Sequence, residues 1–145
     1  MFMGEYSHSI DAKGRLIIPS KLRDQLGESF VITKGLDGCL FIYPNSEWET
    51  IEAKFREVPL TTKDARKFSR FFFAGASQME VDKQGRILVP STLREFASLK
   101  KEVVLVGVLD RVEVWDKDKW ENSVDFDEDD MDEIAEHMAE LGVGI

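Results

Sequence analysis

The sequence predicts an α+β fold, mainly β, in which two duplicated halves interleave their strands into one pseudo-two-fold barrel with short helices. Three observations lead there. First, residues 9–23 recur as residues 80–94 at a constant offset of 71, so that Asp11, Arg15 and Pro19 return as Asp82, Arg86 and Pro90. A duplication of this kind governs every later reading. Second, each copy runs as strand, tight turn, strand, short helix and hairpin. Third, a copy of about 45 residues with few apolar positions lies near the lower size limit for folding alone. Interleaving gives each half the core it lacks, and closing the sheet removes its unpaired edges.

The elements follow in order. The apolar runs Leu16-Ile17-Ile18 and Ile87-Leu88-Val89 each end in a proline, the pattern of a short strand. Just upstream, Asp11 to Gly14 and Asp82 to Gly85 are turn chemistry, with Gly14 and Gly85 able to take positive φ. Pro19-Ser20 and Pro90-Ser91 open a short helix with the serines as caps, and Gly27 closes the first of them. A hairpin joins residues 30–33 to 39–43 at Leu36-Asp37-Gly38, and its counterpart joins 103–106 to 112–115 near Leu109-Asp110-Arg111. Ser46 and Glu49 form a capping box for a helix with Trp48, Ile51, Phe55 and Val58 on one face. Asp118 and Glu121 echo that box around Trp120. Thr61 and Asp64 cap a further helix that carries Lys63, Arg66, Lys67 and Arg70 at helical spacing. In the tail, Met131, Ile134, Ala135, Met138 and Leu141 keep helical register beneath an acidic face. The organisation expected is a first repeat over 5–47, a helical connector over 48–75, a second repeat over 76–119 and an acidic C-terminal helix and tail over 120–145.

A hydrophobic content of 43% with 32% charged residues describes a soluble globular chain. No apolar run approaches the roughly 20 residues of a membrane span, and no secretory leader is visible at the N-terminus. The lone Cys39 excludes an intramolecular disulfide, fits a reducing cytoplasm and reads as a half-buried structural thiol. The net charge of −9 argues against a nucleic-acid partner only until it is divided. Residues 121–145 hold ten acids and neither Lys nor Arg, which leaves residues 1–120 at +1. The acidity belongs to the tail.

The chemistry on offer is narrow. No Cys or His pair has metal-ligand spacing, and no glycine-rich phosphate loop is present, so neither metal nor cofactor is expected. Asp11 and Asp82 share one turn context, whereas paired catalytic carboxylates need different environments; an enzyme is not expected. The acidic run Asp125 to Glu133 lacks calcium-loop spacing. What remains is the pair of basic turns, with Lys13 and Arg15 in one and Lys83 and Arg86 in the other. Arginine offers a planar fork for guanine and lysine suits phosphate, while Asp11 and Asp82 would orient the arginine or fix the turn. Surface Asp–Arg pairs that only shape a hairpin are the plainer reading of one copy. Two such turns on a pseudo-two-fold suit a duplex groove, and spacing alone leaves a nucleic acid and a protein partner equally open. The Lys63–Arg70 stripe reads as the wet side of a packed helix, or as a hold for the acidic tail. Phe71, Phe72 and Phe73 read as core. Arg23 and Arg94 end the short helices, where a cation offsets the helix dipole.

The tandem Asp-x-x-x-Arg motifs, each followed by three aliphatic residues and Pro-Ser-x-Leu-Arg, resemble the MraZ family. So do the opening residues 1–15 and the segment Phe72-Phe73-Ala74-Gly75-Ala76, and the likeness ends only after Ser123. That resemblance implies two AbrB/SpoVT-like repeats of the swapped-hairpin type and a transcriptional regulator acting as a repressor. It implies double-stranded DNA as partner, bound at short direct repeats in the promoter upstream of a cell-division and cell-wall gene cluster. It further implies a ring-like homo-oligomer in the cytoplasm, associated with the nucleoid. Arg15 and Arg86 would then read bases, with Lys13 and Lys83 on phosphate. The competing class is an antitoxin-like protein-interaction module.

Overall fold

The apolar runs of both copies form strands whose hydrogen bonds cross between the copies as well as within them. The computed structural model describes residues 1–123 and 126–145. Its first copy runs β1 (Glu5–Ser9), β2 (Arg15–Ile17), α1 (Ser20–Leu26), β3 (Ser29–Lys34) and β4 (Leu40–Pro44). Two helices follow, α2 (Asn45–Arg56) and α3 (Lys63–Ala74). The second copy runs β5 (Ser77–Glu80), β6 (Arg86–Leu88), α4 (Ser91–Phe96), β7 (Glu102–Val108) and β8 (Arg111–Asp116). Helices α5 (Lys117–Ser123) and α6 (Glu128–Glu140) end the chain. The α+β, mainly β class is thus as expected.

Six strands make one antiparallel sheet in the order β1-β7-β8-β4-β3-β5, and β2 pairs with β6 in a separate ribbon. Exchanging each strand for its counterpart in the other copy merely reverses that order, which is the signature of a pseudo-two-fold. Registers obey it too. Tyr6 faces Leu105 as Ser77 faces Ile32, and in the ribbon Arg15 faces Leu88 as Ile17 faces Arg86, with Leu16 opposite Ile87. No barrel closes, however, because β1 and β5 remain the edges of an open sheet. Ile10 bridges Leu16 in the first copy, and the β2–β6 ribbon packs over one face of the sheet instead of extending it. The ribbon then covers the face that closure would have enclosed.

Side-chain alternation divides the interior into two layers. Phe30, Ile32, Leu40, Ile42, Val103, Leu105, Val112 and Val114 face the ribbon, where Leu16, Ile18, Ile87 and Val89 meet Leu22 of α1 and Leu93 of α4. Phe41, Tyr43, Val104, Val106 and Trp115 point the other way, against Phe72 of α3, Trp48 and Ile51 of α2 and Trp120 of α5. Phe72 is core as expected; Phe71 and Phe73 are only half-buried beside it. Cys39 is fully rather than half-buried, and burial pushes its thiol up to about 12.

Helix starts differ from the sequence reading. Pro19, Pro44 and Pro90 occupy the N-caps, so Ser20, Ser46 and Ser91 fall inside the first turn and make no capping bond. A proline's fixed φ already suits that position. Thr62, not Thr61, caps α3 by accepting from the Ala65 amide at 3.2 Å. Buried Asp116, rather than Asp118, accepts from the Lys119 amide at the start of α5. Phe126 packs on Trp120 with ring centroids 5.9 Å apart, and beyond it α6 leaves Ile134 and Met138 exposed. Asp125, the first residue of the acidic run, lies outside the described residues.

Candidate nucleic-acid interface

Each basic turn is built by one carboxylate. Asp11 accepts through Oδ1 from the amides of Lys13 at 3.0 Å and Arg15 at 2.9 Å, and through Oδ2 from Arg15 Nε at 2.6 Å. Asp82 repeats the arrangement on Gln84, Arg86 and Arg86 Nε, at 2.9, 2.9 and 3.0 Å. The backbone closes the same loop, since Gly14 donates to the Asp11 carbonyl and Asp11 to the Arg15 carbonyl, each at 3.0 Å. The Arg15 amide, ahead of the other donors, pulls the Asp11 carboxyl down to about 2 from the usual 3.8; Asp82 is lowered for the same reason by the Arg86 amide. Both carboxylates therefore stay ionised and lock their turns. Each guanidinium meets its carboxylate through Nε, and among the described residues neither Nη group of Arg15 or of Arg86 makes a hydrogen bond. Gly14 and Gly85 lie within these turns at φ 89° and 77°.

Lys13 and Lys83 are exposed at the turn tips, but they are not equivalent. Lys13 occupies the position where the second turn carries Gln84, as the matching bonds to Asp11 and Asp82 show.

Each turn is completed from the other copy, which the sequence reading missed. The Val89 amide donates to the Gly14 carbonyl and the Ile18 amide to the Gly85 carbonyl, both at 2.9 Å. Arg94 from α4 lies over Gly14 and Arg23 from α1 over Gly85, so close that a Cβ on either glycine would stand 2.9 Å from the guanidinium carbon. Their Nε atoms donate to the Val89 and Ile18 carbonyls at 3.1 and 2.8 Å. These arginines do more than end a helix: each braces the opposite turn and adds a third cation beside it. The signal was present in the sequence, because Arg23 and Arg94 share the offset of 71, but only the crossover brings them to the turns.

The remaining candidates lie elsewhere. Lys63, Lys67 and Arg70 form the exposed side of α3 opposite buried Phe72, and they make no ion pair among the described residues. Among the described residues no three His, Cys, Asp or Glu side chains gather as a metal site, and no helix is long and apolar enough to cross a membrane.

A family model described as "MraZ protein, putative antitoxin-like" matches residues 1–71 and again residues 72–141. Over 143 residues the chain is 60% identical to a "Transcriptional regulator MraZ" of Acetivibrio thermocellus, covering 99% of this chain and 100% of the relative. A protein of the same description from Thermoanaerobacter sp. is 56% identical over 143 residues with the same coverage. One from Clostridium acetobutylicum is 53% identical over 145 residues, 99% of this chain and 100% of that one.

Proposed function

The chain belongs to the MraZ family, and on that footing we propose that it is a sequence-specific, DNA-binding transcriptional regulator that acts without chemistry. The observation that carries the reading is the pair of carboxylate-locked turns. Each holds an arginine whose Nη groups make no hydrogen bond among the described residues, beside a second arginine, and a pseudo-two-fold relates the two turns as it relates the strands of a duplex groove. Arg15 and Arg86 read bases, Lys13 and Lys83 meet phosphate, and Asp11, Asp82, Gly14 and Gly85 hold the presentation. The repeats over 5–47 and 76–119 share one interleaved DNA-binding body, with 48–75 as connector and 120–145 as an acidic appendage.

One chain has few cations to offer, so affinity comes from a ring-like homo-oligomer engaging successive direct repeats about one helical turn apart. Occupying the promoter of its own division and cell-wall gene cluster then represses transcription, in the cytoplasm and on the nucleoid. A footprint on DNA from upstream of the chain's own gene tests this. The Arg15→Ala/Arg86→Ala double variant is expected to lose at least the roughly 1–3 kcal/mol of one base-reading arginine. Binding should weaken with salt at a log–log slope of about −2 per engaged subunit from Lys13 and Lys83, steepening to about −3 to −4 if Arg15 and Arg86 each meet a phosphate as well. Unaltered affinity in the folded double variant, or a flat salt response, overturns the proposal. The exposed apolar face of α6 favours a second reading, an antitoxin-like module that holds a protein. Under it, a stoichiometric partner co-purifies and DNA does not bind.

A further inference from the structure

The duplication lets each turn serve as the other's control, and the two are not electrostatically alike. The Ile10 amide donates to the Lys101 carbonyl beside the first turn, and the Val81 amide donates to the Glu28 carbonyl beside the second. A lysine therefore flanks one turn where a glutamate flanks the other. Ser9 leads into the first turn opposite Glu102, whereas Glu80 leads into the second opposite Ser29. Glu102 pairs with Lys117 at 3.6 Å. Glu28 and Glu80 are exposed and make no ion pair among the described residues. Asp24 and Glu95 occupy matching places and cancel. The result around the second turn is a cavity of about 680 Å³ lined by Arg23, Asp24, Glu28, Glu80, Asp82 and Lys83, with acids outnumbering cations.

Building on the DNA reading above, we propose that the two turns bind unequally. The first carries most of the affinity for the phosphodiester backbone and bases, and Glu28 and Glu80 hold the second to a weak, adjustable contact. The physical basis is range. Charges within about 8–10 Å of a phosphate act on it at physiological salt, and both glutamates flank the turn that would meet one. An unequal pair also gives the chain a direction on DNA, because a symmetric pair would read a site equally well from either end.

The test uses the full-length chain, a labelled duplex from upstream of its gene and an unrelated duplex of equal length, at about 50 and 200 mM salt. Arg15→Ala is expected to lower affinity roughly tenfold or more, and Arg86→Ala by less than about threefold. Glu28→Lys with Glu80→Ser gives the second turn the first turn's flanks. It should raise affinity about two- to fivefold at the lower salt, less at the higher, and should raise the cost of Arg86→Ala towards that of Arg15→Ala. Lys101→Glu should do the reverse at the first turn. Circular dichroism checks that each variant is folded. Equal losses from Arg15→Ala and Arg86→Ala, or flank exchanges that leave both unchanged, overturn the inequality while the DNA reading stands. No binding of either duplex by the unsubstituted chain overturns both.

Discussion

Gly14→Ala is the most searching single substitution in this molecule, because backbone, bracing arginine and the proposed DNA-binding turn meet there. Gly14 is buried at φ 89°, and a methyl group on it would stand 2.9 Å from both Cζ and Nε of Arg94. Two costs follow. Holding alanine in the left-handed region costs about 1–2 kcal/mol. Displacing Arg94 breaks its Nε bond to the half-buried Val89 carbonyl, worth about 1.5–3 kcal/mol for a charged donor. The total of about 2.5–5 kcal/mol should lower the melting temperature by about 5–15 °C in a chain of this size. Gly27→Ala is the control. Gly27 lies at φ 84°, but its nearest neighbour in that direction is the Ser29 carbonyl oxygen at 3.9 Å. The second copy carries Ser98 there at φ 52°, so only the backbone cost of about 1–2 kcal/mol applies. Thermal and urea unfolding measure the difference. Arg94→Ala in the Gly14→Ala background removes the obstruction, so the double variant should cost less than the sum of the singles by about 1 kcal/mol or more. Equal destabilisation by Gly14→Ala and Gly27→Ala, within about 0.5 kcal/mol, would refute the bracing role of Arg94.

Three further outcomes are expected. Fragments 1–60 and 74–145 should each be unfolded or aggregated and should regain structure when mixed, because β1 pairs with β7 and β5 with β3; two independently cooperative halves would contradict the interleaving. The folded Asp11 carboxyl sits at about 2 against 3.8, so its contribution is complete above 3.8 and fades as pH falls from there through about 2. Melting temperatures of an Asp11→Asn/Asp82→Asn variant should therefore fall less steeply than those of the parent below about pH 4, and parallel curves would show that the locked turns add no acid sensitivity. Removing residues after Asn122 deletes a −9 segment and should raise non-specific DNA affinity, most visibly at low salt, with the sheet intact. Unchanged affinity with an altered oligomer size would instead make α6 a subunit contact.

The amino-acid sequence by itself determined the duplication, the strands at Leu16 and Ile87, the Asp–Arg turns and the separation of acid tail from neutral body. Each of these rests on contacts within a few residues, where spacing alone dictates who can touch whom. Asp11 reaches the Arg15 amide four positions on by any path that closes the turn, so that lock is local and legible. Cap positions are less legible: a proline takes the N-cap ahead of Ser20, Ser46 and Ser91, and Thr62 rather than its neighbour Thr61 caps α3. What only the tertiary structure decided is who meets across the duplication. Arg94 over Gly14, Arg23 over Gly85, and Lys101 and Glu28 as opposite-charged flanks arise from pairings more than fifty residues apart. So does the open sheet, whose ribbon folds onto one face where closure into a barrel was expected. Long-range partners depend on which buried surfaces fit together, and a linear pattern that records only each residue's polarity and spacing does not hold that information.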